Sequence, residues 1–237
     1  MRLPLAAPRT PVLVALAVVA LVAPPTERLR AEAVTHGRVE APRGQDPDAI
    51  ARRADEALAA LRSLRASFVQ EVQNPLLEKT TTGRGTILYR APDRYRIAYN
   101  DPAGDLVVND GTRVWIYLPS SQPGQVIRQP AQETGVRNPL MYLRDLRDRY
   151  AVRYVGVETV SGHSADKLDL TPRGQGAPFA AVEAWVDRDT GLLRRVRTRA
   201  EDGVVTTYTF TTLERNVRLN DTLFRFAPPR GVEVFDS

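Results

Sequence analysis

Residues 83–118 read GRGTILYRAPDRYRIAYNDPAGDLVVNDGTRVWIYL, and their alternation decides the fold. Runs rich in Ile, Val, Tyr and Trp occupy 83–90, 94–100, 105–109 and 112–118, parted by Pro92, Pro102 and Asn109-Asp110-Gly111. Asn, Asp and Gly tolerate the positive φ of a tight hairpin, so each run folds back beside the one before it. Gaps this short leave no room for the helical crossover that parallel neighbours require. Within 94–100, Tyr95, Ile97 and Tyr99 share one face while Arg94, Arg96 and Asn100 share the other. The run 112–118 is apolar on both faces, through Val114, Ile116 and Leu118 on one and Trp115 and Tyr117 on the other, so its inner side stays open.

The pattern continues toward the C-terminus. Strands are predicted at 125–129, 151–157, 165–171, 179–187, 192–200 and 204–214, with a short end near 223–234; Asp189-Thr190-Gly191 and Asp202-Gly203 supply turns. Val182, Ala184 and Val186 oppose Glu183, Trp185 and Asp187, and Tyr208 and Phe210 share a face. On the N-terminal side, Asp46-Pro47 is a helix start, an N-cap acid before proline at the first helical position. Ile50, Ala54, Ala57, Leu58, Leu61 and Leu64 then follow at helical spacing. The period changes to two at Phe68, Gln70 and Val72, predicting a strand over 68–73. A second short helix is predicted after Pro139, carrying Leu140, Leu143 and Leu146. About eleven strands are too many to stay flat, so the sheet curls toward a barrel. The helices either fill its concave side as a packed core or lid a cavity for an apolar guest; periodicity alone leaves both open.

The composition narrows the chemistry. With no cysteine there is no disulfide, thiolate metal site, cysteine nucleophile or lipid-bearing N-terminal Cys, and two histidines make a poor zinc site. No cofactor is expected. Ser161, His163, Ser164 and Asp166 crowd into one hairpin turn, whereas a catalytic triad needs separate rigid supports. Gly83-x-Gly85 lacks the rest of a phosphate loop and reads as glycine permitting close backbone approach in a strand. Nothing here supports an enzyme. Arg2 and Arg9 precede an apolar run, Val12 to Ala23, too short to span a bilayer, followed by Ala31-Glu-Ala33; this predicts a secretory signal over 1–33, cleaved or retained as an anchor. A flexible lead-in, 34–46, and a single domain, 47–237, follow. Cleavage after Ala33 leaves 29 basic against 26 acidic residues, signs mixed along the chain, which is not a nucleic-acid footprint.

The placed strands carry motifs in a specific order. Phe68-x-Gln70 follows the first helix. Then come Gly83-x-Gly85-x-Ile87-x-Tyr89-Arg90-x-Pro92-x-x-Tyr95-Arg96-Ile97-x-Tyr99-x-x-Pro102 and Leu106-Val107-Val108-Asn109-Asp110-Gly111-x-x-Val114-Trp115-x-Tyr117-x-Pro119. Gln125-Val126, Asn138-Pro139-Leu140-Met141 and Phe224-x-Phe226-x-x-Pro229-x-Gly231-Val232 complete the series. Together, over roughly 47–236, they resemble the LolA family of periplasmic lipoprotein carriers.

That resemblance implies an α+β fold, mainly β: an incomplete antiparallel barrel of about eleven strands with a helical lid over an apolar cavity, as in LolA and LolB. It favours the cavity over the packed core. On it, the lipid-binding wall is Phe68, Ile87, Tyr89, Tyr95, Ile97, Tyr99, Ile116, Val182, Val186, Tyr208 and Phe210, with Leu140, Met141, Leu143 and Leu146 on the lid. Family members carry Arg directly before the proline matched here by Pro92, and it latches the lid. Ala91 stands in that place; Arg90 lies one residue earlier, on the opposite sheet face, which leaves Arg90, Arg96 or no arginine as the latch. The implied function is a monomeric periplasmic carrier of acylated lipoproteins. It would be loaded by an inner-membrane ABC transporter (LolCDE-like) and unloaded to an outer-membrane acceptor (LolB-like). The alternative is a periplasmic lipid-sensing regulatory protein on the same fold; such regulators append a second domain, and this sequence reaches Ser237 just after its last strand.

Overall fold

The computed structural model describes residues 46–131, 138–174 and 179–236. The predicted signal and all of the lead-in but Asp46 lie outside the described residues. Asp46 caps α1 (Pro47–Ala59), its side chain accepting from the Asp48 amide at 3.1 Å. The helix stops sooner than its apolar stripe suggests. Leu64 belongs to β1 (Ser63–Asn74), where it pairs with Tyr89 and Arg215. A leucine three residues after Leu61 suits a helix face or an inward strand position equally, so spacing alone overran the boundary.

β2 (Lys79–Arg90), β3 (Arg94–Asp101), β4 (Ala103–Asn109), β5 (Arg113–Tyr117) and β6 (Gln125–Pro130) then form a meander. A 3₁₀ turn (Pro139–Leu143) and α2 (Leu146–Arg149) lead into the second meander. It comprises β7 (Tyr150–Val160), β8 (His163–Pro172), β9 (Ala181–Asp187), β10 (Leu193–Arg199) and β11 (Val205–Arg215). A second 3₁₀ turn (Asp221–Phe224) and β12 (Glu233–Asp236) are the last described elements. The single lid helix expected after Pro139 is therefore two short pieces, broken at Arg144-Asp145, where Asp145 takes a positive φ of 55°.

All twelve strands make one open sheet in the order β12-β6-β5-β4-β3-β2-β1-β11-β10-β9-β8-β7. Its two meanders join where β1 pairs with β11, Phe68 opposite Phe210, with a register shift between Ser67 and Phe68. Every neighbour is antiparallel except β12, which runs parallel to β6. One apolar cluster fills the concave side and unites residues from α1, both meanders, the first 3₁₀ turn and α2. On the convex side, residues 216–232 form a strap over the first meander, leading into β12 at the sheet edge. Phe226 lies 5.7 Å from the Trp115 ring and 6.0 Å from Tyr117, which settles the ambiguous run: Val114 and Ile116 face inward.

Candidate functional site

The concave wall begins with β2, where glycine makes room for rings. A Cβ on Gly85 would lie 2.9 Å from Cε1 and Cζ of Phe68, and one on Gly83 would lie 3.2 Å from Cε1 of Tyr99. The missing side chains let Phe68 from β1 and Tyr99 from β3 lean over β2 and meet edge to face, centroids 5.2 Å apart at 88°. Tyr208 from β11 closes the group, 5.7 Å from Phe68. Polar atoms tie the same residues together. The Tyr99 hydroxyl donates to Gln70 Oε1 at 2.9 Å, and Gln70 Nε2 donates to the Tyr208 hydroxyl at 2.8 Å. Burial pushes both phenols above their ordinary range, so they stay neutral.

The rest of the predicted wall falls on the same side. Ile87 and Tyr89 lie on β2, Tyr95 and Ile97 on β3, Ile116 on β5, Val182 and Val186 on β9, and Phe210 on β11; all are buried in one cluster. Tyr99 and Tyr208 are partly buried and pack against it. The structure thus brings all eleven together. Tyr89 donates to the Pro92 carbonyl at 2.9 Å. Burial pushes the Tyr95 phenol up to about 12, against the effect of a hydrogen bond with Asn109.

Two coverings lie on this wall, and they are held differently. α1 is fixed. Its Ile50, Ala51 and Ala54 are buried, and Arg53 Nη2 reaches Asp166 Oδ2 of β8 at 2.7 Å, where the Asp166 side chain is wholly buried. The Gly191 turn presses so close to Ala57 and Arg53 that a Cβ there would lie 2.9 Å from each. Asp166 is therefore a buried anchor, not part of a loose polar turn. Its signal was indirect: an acid at an inward position of a predicted strand, two residues before Leu168.

The second covering, residues 139–149, is held at its rim. Leu140 and Leu146 enter the cluster with Tyr95, Ile97 and Phe210. Met141 and Leu143 lie on the 3₁₀ turn, and their side chains are outside the described set. The segment's polar ties toward α1 and the Pro92 turn are Leu146 N to Asp55 Oδ1 at 3.5 Å and Arg144 to Asp93 Oδ1 and the Pro92 carbonyl, both at 3.4 Å. Its C-terminal end is held more closely, Arg173 donating from Nε to the Arg147 carbonyl at 3.1 Å and from its amide to the Arg149 carbonyl at 2.9 Å. Tyr142 also meets Phe179 edge to face at 5.3 Å; Tyr142, Phe179 and Arg144 had no assigned part in the sequence reading, and no motif marked them.

The arginines expected at the latch lie elsewhere. Arg90 and Arg96 alternate with Tyr89, Tyr95 and Ile97, which points them to the convex face. There Arg90 binds the Leu219 carbonyl and the Asp221 carboxylate, and Arg96 donates to the Leu223 carbonyl at 3.4 Å. Both hold the C-terminal strap. The contact at the Pro92 turn comes instead from the covering segment itself, through Arg144.

The profile of the family described as outer membrane lipoprotein carrier protein LolA matches residues 59–227. The outer-membrane lipoprotein carrier protein of Nitrosospira multiformis is 27% identical over 176 residues, 73% of this chain and 82% of the relative. That of Haemophilus influenzae (strain PittEE) is 29% identical over 179 residues, 76% and 83% of the two chains. Among solved structures, the chain is similar to one in the MucA/MucB complex of Pseudomonas aeruginosa, with a TM-score of 0.50 and 26% identity. The match covers 81% of this chain but 64% of that one, so this chain spans less than two thirds of its length.

Proposed function

The chain belongs to the LolA family of outer membrane lipoprotein carrier proteins, and from that membership we propose that it binds the acyl chains of lipoproteins leaving the inner membrane and delivers them across the periplasm. The proposed partners are an inner-membrane ABC transporter of the LolCDE kind and an outer-membrane acceptor of the LolB kind, with the carrier acting as a monomer. One observation supports this reading: an aromatic concave wall whose second covering meets α1 and the Pro92 turn through polar contacts of 3.4 to 3.5 Å. Among the described residues no helix is long and apolar enough to cross a membrane.

Binding and release have to be balanced. Each buried CH₂ contributes about 0.8 kcal/mol, so one ~16-carbon chain gains on the order of 12 kcal/mol. Two or three such chains in a preformed slot would never leave. Acyl chains entering here displace Leu140 and Leu146 from the cluster they share with Tyr95, Ile97 and Phe210, and the lost self-packing offsets part of the gain. Net affinity falls to a value from which an acceptor can draw the cargo.

The test is transfer. Inner-membrane vesicles holding the transporter and a labelled lipoprotein are incubated with the protein and ATP, and the supernatant is then offered to vesicles bearing the acceptor. Lipoprotein moving first into the supernatant and then onto the acceptor supports the carrier; lipoprotein staying in the first membrane ends the proposal. Leu140→Gln is expected to change acyl affinity and release rate, and unchanged values would remove the gate. A second reading, a periplasmic lipid-sensing protein that binds a regulatory partner, draws on the likeness to a chain of the MucA/MucB complex. Tight acyl binding without any transfer is its signature.

A further inference from the structure

The hairpin joining β1 to β2 ends in the two most exposed large apolar side chains among the described residues, Leu76 at 78% and Leu77 at 69%. Scattered surface leucines need no explanation. These two are adjacent, at the apex of the longest pair of strands, on a turn built to hold them out. Asn74 Oδ1 accepts from the Leu76 amide at 3.0 Å and the Leu77 amide at 3.1 Å. Glu78 completes the turn with a positive φ of 48°. Beneath it, Pro75 braces against the β10–β11 turn, where a Cβ on Gly203 would sit 3.2 Å from Pro75 Cγ.

The surroundings select the partner. Glu78, Lys79, Thr80, Thr81 and Thr82 are all exposed and polar, so the apolar area is that of the two leucines and the flanking Pro75. A stable protein interface buries about 800 Å² on each partner, with matched shape. Two leucines on a narrow apex supply neither. A bilayer asks for no shape match: aliphatic tips enter the acyl region while Lys79 keeps its charge at headgroup level. The apex also stands at the end of the sheet where the wall becomes accessible. Along β1, buried Leu64, Ala66 and Phe68 give way to half-buried Gln70 and Val72.

We propose that the Leu76–Leu77 apex is a membrane-contact tip that inserts shallowly into a phospholipid surface and sets the accessible end of the wall against it. Its use in acyl transfer rests on the carrier reading; insertion itself does not.

The chain has no cysteine, so Leu76→Cys carries an environment-sensitive fluorophore at that position alone. Ser164→Cys, at the far end of β8, is the control. The protein is taken from the periplasmic fraction and mixed with vesicles of phosphatidylethanolamine and phosphatidylglycerol, free of protein. The probe at residue 76 is expected to brighten and shift to the blue, with no response at residue 164. Leu77→Ser in the unlabelled protein is expected to weaken vesicle co-flotation about tenfold, the loss of one buried leucine. A silent probe at 76, a response only when the vesicles hold transporter or acceptor, or unchanged co-flotation in Leu77→Ser would each overturn the proposal. Acyl loading is measured separately, by mass spectrometry of the purified protein in solution. Its failure would count against the carrier reading and leave the tip standing.

Discussion

A Cβ on Gly85 would meet the Phe68 ring at 2.9 Å and drive into the Ala98 carbonyl oxygen, whereas one on Gly83 would meet only Tyr99 and the Asp101 carbonyl, at 3.2 to 3.4 Å. The two glycines thus differ in what must move. Gly85→Ala is expected to lower stability by about 2–3 kcal/mol and Gly83→Ala by less than about 1 kcal/mol, read as urea midpoints. Equal midpoints would mean the rings are not seated as described. Asp110 and Asp187 are among the acids that give the fold its pH dependence. Burial raises the Asp110 carboxyl, but the Arg113 and Thr112 amides, the Thr112 hydroxyl and Trp115 Nε1 donate to it and hold it below the usual range. Asp187 is likewise held low against burial by Arg194 and Thr190. A depressed carboxyl contributes stability that is present above its unfolded value, about 3.9, and is lost as pH falls from there through the lower folded value. Asp55, raised chiefly by burial, works in the opposite direction. Asp110→Asn is therefore expected to flatten the acid side of a stability-against-pH curve, with little change in its shape above neutral pH.

Among the elements, the strap and the cover are the pieces whose roles can be separated. Arg90 and Arg94 stack on the Phe224 ring, 5.4 and 5.9 Å from its centre, while Arg90 also binds Asp221. Arg90→Ala is expected to speed amide exchange across 219–236 and leave 139–149 unchanged; faster exchange in 139–149 instead would restore the arginine to the cover. The sequence made the wall legible because alternation is strict where one face is buried: Tyr95-x-Ile97-x-Tyr99 and Val182-x-Ala184-x-Val186 each offer one reading. Trp115 and Tyr117 were opaque because the strap makes a second apolar layer, so both faces of β5 are greasy. The strap itself is mostly irregular, and no period announces where Phe224 and Phe226 will land. Asp166 and Arg53 were hidden for a different reason. They are 113 residues apart and meet only once the second meander has closed under α1.

At the scale of the molecule, wall and covers form one cluster, so occupancy and stability are linked. A ligand that binds only the folded chain at about 100 times its Kd adds about 2.7 kcal/mol. For a domain of this size that is a rise of roughly 5–10 °C in melting temperature. A palmitoylated peptide is expected to produce it, and the same peptide without its acyl chain is not; identical melts would place the acyl chain outside the wall. The pairing of β1 with β11 has a consequence for synthesis. Phe68 cannot meet Phe210 until nearly the whole chain exists. At about 5–20 residues per second, the early half waits on the order of ten seconds with one flank of β1 bare. During that wait the inner face of the first meander has no second meander beside it. The nascent chain must be shielded all the while, because a bare flank is a ready template for its own copies.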